Sequence, residues 1–197
     1  MGQVLVDYNS INTVKKYTDD EALQKKISKE VFGTYEWAYL DIGLIDEAVA
    51  LERTLKRLDS DIERDIARKC FENWHKYNMV PKEGMAELLT MLKEKGFHLF
   101  VLSNAPLRLR SIYKEAIPFY ELFDDIIFSA EVRHVKPQRE IYEDAFERFG
   151  IKPQESFFVD DLPENIQGGK DMGMDGYCFS DGDVEKLKVV LLSLQSE

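Results

Sequence analysis

Two different hydrophobic rhythms divide this chain. From about residue 11 to residue 77 the apolar positions recur at helical spacing. Ile62, Ile66, Cys70 and Phe71 fall on one side of a helix, and Trp74 extends that stripe. Acidic residues gather at the starts of these segments and basic ones at their ends, as helix dipoles favour. Tyr39-Leu40-Asp41-Ile42-Gly43 reads as a turn between two of the helices.

After Pro81 short apolar runs alternate with amphipathic stretches. Residues 83–95 predict a helix with Met85, Leu88, Leu89 and Leu92 on one side, stopped by Gly96. Strands are expected at 98–102, 126–128, 156–159 and 176–179, and helices at 140–149, 163–171 and 184–194. Such alternation implies an α/β fold with a doubly wound parallel sheet. Ligands of these sheets sit at the carboxyl ends of the strands.

Composition narrows the function classes. A chain of 197 residues, 44% hydrophobic and 12% aromatic, suits one packed core with a modest insertion. No apolar run is long enough to span a bilayer, and no secretory leader opens the sequence, so no membrane role is expected. Cys70 and Cys178 stand alone, which reads as two buried thiols in a reducing compartment and places the protein in the cytoplasm. The net charge of −11 repels phosphate backbones and argues against nucleic acid as a partner. It also requires that any site for a small phosphorylated metabolite supply local positive charge or a metal. Monomer and homodimer fit equally.

Three strand ends carry polar residues that a bland sheet does not need. Ser103 and Asn104 follow the first of the strands after Pro81; they can donate to phosphate oxygens, or form an ordinary turn. Asp160 and Asp161 follow Phe157-Phe158-Val159. Adjacent carboxylates there call for a cation such as Mg²⁺, unless Asp161 merely caps the helix at 163–171. Lys136 precedes Pro137, so its backbone is held extended at the same edge. His75, His98 and His134 form no metal spacing; His98, inside a predicted strand, reads as structural, and His134 lies near the site only by sequence.

In this order the motifs resemble the second, third and fourth motifs of the haloacid dehalogenase-like hydrolases. The resemblance spans nearly all of residues 2–179. It implies a Rossmann-like haloacid dehalogenase core formed by residues 1–10 and 81–197, with an inserted all-helical cap at 11–80. Response regulators use similar residues, but with the paired acids ahead of the hydroxyl and the lysine. The helical-cap subgroup resembled contains sugar-phosphate phosphatases and the phosphatase domain of epoxide hydrolases. It implies a Mg²⁺-dependent phosphatase of a small phosphorylated metabolite, a sugar phosphate for instance, working through an aspartyl-phosphate. Ser103 and Lys136 would be catalytic, Asn104 would bind substrate, Asp161 and Asp160 would hold the metal, and Asn165 would support them. A haloacid dehalogenase or a catalytically inactive binding scaffold are the other readings.

The family's first motif, Asp-x-Gly-x-Val-Leu-x-Asp, matches Met1-Gly2-Gln3-Val4-Leu5-Val6-Asp7 from its second position. In that register the nucleophile would stand directly ahead of Met1, and the Gly2 backbone carbonyl would touch Mg²⁺. Gly2 also stands where many family phosphatases keep an acid for the leaving group, so leaving groups needing little protonation would suffer least. An alternative register slides residues 2–6 into the first-strand position and carries Asp7 to the nucleophile's place. The aromatics Tyr35, Trp37, Tyr39 and Trp74 either line the substrate side or, as helical spacing favours, fill the core.

Overall fold

A computed structural model describes residues 1–194. The first half of the chain is helical. After β1 (Val6–Tyr8) come α1 (Ile11–Val14), α2 (Glu21–Phe32), α3 (Tyr35–Asp41), α4 (Glu47–Lys56) and α5 (Asp61–Tyr77). Their boundaries follow from local capping. The Asp20 carboxylate accepts from the Ala22 and Leu23 amides, Asp46 caps α4, and Ser60 with Glu63 forms a capping box on α5. Ile27, Val31, Leu40, Ala50, Leu58, Ile66, Cys70 and Phe71 form the helical layer's own core. Ile62, expected on the buried stripe, is exposed, because it lies in the first turn of α5, where the helix faces solvent.

The second half alternates as expected: β2 (Met79–Pro81), α6 (Met85–Glu94), β3 (Phe100–Ser103), α7 (Arg108–Ala116), β4 (Asp125–Phe128), α8 (Ser129–Val132), α9 (Arg139–Phe149), β5 (Phe157–Asp160), α10 (Pro163–Asp171), β6 (Asp175–Cys178) and α11 (Val184–Ser193). This is a Rossmann-like α/β core carrying a helical cap. The parallel strands stand in two hydrogen-bonded pairs. β3 pairs with β4 from Phe100↔Asp125 to Ser103↔Phe128, and β5 with β6 from Phe157↔Asp175 to Asp160↔Cys178. Among the described residues no ladder joins the two pairs. His98 lies before β3 rather than inside it, exposed beside Asp124. Of the two cysteines, Cys70 is buried and Cys178 only partly so.

The amino-terminal segment overturns the sliding register. Residues 3–5 form a turn in which the Val4, Leu5 and Val6 amides all point at the Met1 carbonyl. β1 then runs antiparallel to β2, pairing Val6 with Pro81, Asp7 with Val80 and Tyr8 with Met79, outside both parallel pairs. Val4, Leu5 and Val6 are nevertheless buried in the main core. Their hydrophobicity is therefore satisfied without their joining the central strands.

One tight turn docks the cap on the core. The Gly43 amide donates to the Leu40 carbonyl and the Leu44 amide to the Tyr39 carbonyl, the paired bonds of a Schellman ending for α3. This needs a left-handed residue, and Gly43 has φ +70°. A Cβ on Gly43 would also lie 2.7 Å from the Ala130 carbonyl oxygen. Gly43→Ala is therefore expected to destabilise the protein by about 1–3 kcal/mol through strain and lost cap–core docking. Urea unfolding would measure it, and a change below about 0.5 kcal/mol would reject this account.

Candidate active site

Ser103, Lys136 and Asp161 converge on one cavity of about 270 Å³, together with Gly2, Asn104, Asp160 and Asn165. The strands explain the convergence. Ser103 ends β3 and Asp160 ends β5, so both sit at carboxyl ends, while Lys136 reaches in from the loop before α9.

Lys136 is held from several sides. Its Nζ donates to Asp160 Oδ2 at 2.6 Å and to the Leu102 carbonyl at 3.0 Å, thereby linking β5 to β3. Its backbone is clamped by Asn104: the Lys136 amide donates to Asn104 Oδ1 at 2.8 Å, and Asn104 Nδ2 donates to the Lys136 carbonyl at 3.1 Å. An ammonium has three hydrogens. One remains for a ligand oxygen.

Asp160 is equally committed. Its Oδ1 accepts from Asn165 Nδ2 at 2.8 Å and from the Leu162 amide at 3.0 Å. Burial pushes its carboxyl up, but the Lys136 charge and these hydrogen bonds outweigh burial and hold it below the usual range. Asp161 is different. It has no side-chain partner among the described residues, and burial followed by the Asp160 charge holds its carboxyl above the usual range. It does not cap α10 either, whose N-cap position is Leu162.

Asp7 lies away from this group. It pairs with Lys82 and is 59% exposed, since β1 carries it along the antiparallel ribbon. His134 pairs with Asp144 at 2.7 Å, away from the cavity lining. Of the cap aromatics, Trp37 and Trp74 line the cavity and pack edge-on against each other. Tyr35, 80% exposed, and Tyr39 do neither.

Sequence reasoning missed three residues. Tyr8 and Asp41 also line the cavity, and Ser129 holds the Asp41 backbone. The Ser129 hydroxyl donates to the Asp41 carbonyl and accepts from the Ala105 amide at 2.8 Å. One signal was available. Asp41 closes α3 with no basic residue in the last turn, opposing the helix dipole, and such local conflicts mark functional positions.

The family model described as haloacid dehalogenase-like hydrolase matches residues 9–178. The chain belongs to this family. Among haloacid dehalogenase-like hydrolases it is 26% identical over 147 residues to flavin mononucleotide hydrolase 1 of Arabidopsis thaliana, covering 75% of this chain and 58% of that protein. It is 32% identical over 130 residues to the pyrophosphatase PpaX of Halalkalibacterium halodurans, covering 63% and 59%. The chain thus spans about three-fifths of the length of these relatives. A HAD family enzyme of Bacteroides thetaiotaomicron superposes with a TM-score of 0.63 at 25% identity, over 90% of this chain and 89% of that one. An alanine-substituted form of that enzyme was crystallised with magnesium and inorganic phosphate.

Proposed function

We propose that this hydrolase is a Mg²⁺-dependent phosphatase of a small phosphorylated metabolite. The observation that carries the reading is the shared cavity of Ser103, Lys136 and Asp161, with Lys136 locked by Asp160 and Asn104. The third Lys136 hydrogen and the Ser103 hydroxyl receive phosphoryl oxygens and stabilise the charge that builds on them. Asn104 acts by positioning Lys136, and Asn165 by fixing Asp160.

The residues present fit magnesium. Asp161 offers an oxygen donor without an internal partner, and its charge is unbalanced because Lys136 already offsets Asp160. The described residues include no group of three or more His, Cys, Asp or Glu able to hold a metal. Magnesium suits such a site, since it needs only one or two carboxylates and takes phosphate and water for the rest. Asp161 would hold it, with Asp160 behind it and the Gly2 carbonyl alongside in the family register. When bound, the ion neutralises phosphoryl oxygens.

In that register the phosphoryl acceptor would be an aspartate directly ahead of Met1; Met1 and Gly2 are among the residues that line the cavity. The test measures phosphate release from a panel of esters, with and without Mg²⁺. It compares residues 1–197 with a form extended by an apolar strand ending in Phe-Asp. The extended form is expected to turn over at least one ester only with Mg²⁺, and Lys136→Met in that form to lower kcat by about 10²–10³. If the extended form hydrolyses nothing, the phosphatase reading fails. Phosphate binding without turnover in either form would identify a binding scaffold instead.

A further inference from the structure

A second cavity, of about 400 Å³, opens on the helical layer beside β1. It is distinct from the catalytic one. Ser103, Lys136 and Asp161 are absent from its lining, and only Tyr8 and Trp37 belong to both. Much of its wall is one face of α2, where Lys25, Ser28, Lys29 and Phe32 follow at helical spacing. Gln24, Ile27 and Val31 turn into the helical core instead. Ser10 and Ile11, at the start of α1, and Trp37 in α3 add to the lining.

This lining is chemically one-sided. Among the described residues no aspartate or glutamate belongs to it, in a chain whose acids outnumber its bases by 37 to 26. Neither the Lys25 nor the Lys29 ammonium has an ion pair or hydrogen bond among the described residues. Lys26, on another face of the same helix, pairs with both Asp59 and Glu63 at 2.7 Å. Two like charges four residues apart on a helix repel each other, and an anion between them relieves the repulsion. The Ser10 and Ser28 hydroxyl oxygens lie 2.9 Å apart. Whichever of them donates, the other keeps a hydrogen for a ligand oxygen. Beside this polar strip, Phe32 and Trp37 pack edge to face at 4.9 Å and offer ring surface.

We propose that this groove binds a small aromatic ligand bearing one phosphate dianion, such as a nucleoside monophosphate, apart from the catalytic cavity. Lys25 and Lys29 take the phosphate between them, the serine pair donates to it, and Phe32 and Trp37 hold the ring. The volume falls in the range of ligand pockets of that kind. The site uses none of Ser103, Lys136 or Asp161, so it stands or falls independently of the phosphatase reading.

Phenylphosphonate is the probe, because it joins a ring to a dianion through a carbon–phosphorus bond that phosphatases do not cut. Trp37 lies on the lining, so tryptophan fluorescence of residues 1–197 at pH 8 and low salt, without Mg²⁺, reads binding. Inorganic phosphate and benzyl alcohol each carry half of the probe and are expected to bind at least tenfold more weakly. Lys25→Gln and Lys29→Gln should each weaken phenylphosphonate about threefold, and the double variant about tenfold. Lys26→Gln, which removes the same charge from the same helix, should leave the affinity unchanged. Equal losses in all three single variants would reduce the effect to general electrostatics and overturn the site. No loss in the Lys25 and Lys29 variants would overturn it too, as would inorganic phosphate binding as tightly as the probe. Absence of any response to phenylphosphonate would have the same consequence.

Discussion

Lys136→Ala is expected to destabilise the protein by about 3–5 kcal/mol, the largest single effect the site offers. The Lys136 and Asp160 side chains are 5% and 3% exposed, so neither charge can turn to water when its partner is removed. The variant leaves the Asp160 carboxylate with Asn165 and the Leu162 amide, but with no counter-charge. It also deletes the bond from Nζ to the Leu102 carbonyl, a direct tie between β5 and β3. Replacing both partners, as Lys136→Met with Asp160→Leu, should cost less than the single change, because no isolated charge remains buried. The sign of the pH effect is fixed. Asp160 is held below its usual range in the natural protein, so its contribution is present above the unfolded value near 3.8 and fades in acid. Without Lys136 that contribution is gone, and the deficit of the variant should shrink as the pH falls. Urea unfolding at pH 7 and pH 4 would check both statements, and a deficit under about 1 kcal/mol at pH 7 would contradict the first.

Asp41→Asn should act in the opposite direction and stabilise the protein at alkaline pH. Burial raises the folded carboxyl from 3.8 to about 7. Between those values the unfolded chain has lost the proton that the folded chain keeps, so stability falls as the pH rises across this window. Each unit corresponds to about 1.4 kcal/mol, an upper limit here because the residue keeps partial exposure; about 1–3 kcal/mol is expected above pH 8. Asparagine does not ionise, so the variant should match the natural protein near pH 4 and exceed it above pH 8. Paired thermal melts at those two values would show the divergence, and parallel curves would refute it.

How much of this was written in the residues differs by level. The succession of strands and helices after Pro81 and the convergence of Ser103, Lys136 and Asp161 were legible, because each lies at or beside the end of an apolar run and the parallel topology brings those ends together. The placement of residues 2–8 was not. Val4, Leu5 and Val6 are buried as their hydrophobicity demands, but burial does not specify which neighbour their backbone bonds to. Asn104 was legible as a polar residue at the right edge, whereas its engagement with the Lys136 backbone depends on a contact 32 positions away. Asp41 was hidden by its company: Asp-Ile-Gly signals a turn, and the turn is real, while its place on the cavity lining depends on the docking of Gly43 on Ala130. Tyr35 and Tyr39 show the converse, since aromatic character alone did not bury them.

The short ribbon of Val6–Tyr8 with Met79–Pro81 means that the polypeptide enters and leaves the helical layer side by side, as one double-stranded stem. Both crossings between the helical layer and the core therefore share one short ladder. Beyond the stem the layer is held on the core by the Gly43 turn, by the Ser129 hydroxyl, and by Arg108, which donates to the Phe71 carbonyl and pairs with Glu47. Asp41 thus stands where several separate holds on the helical layer meet the cavity lining.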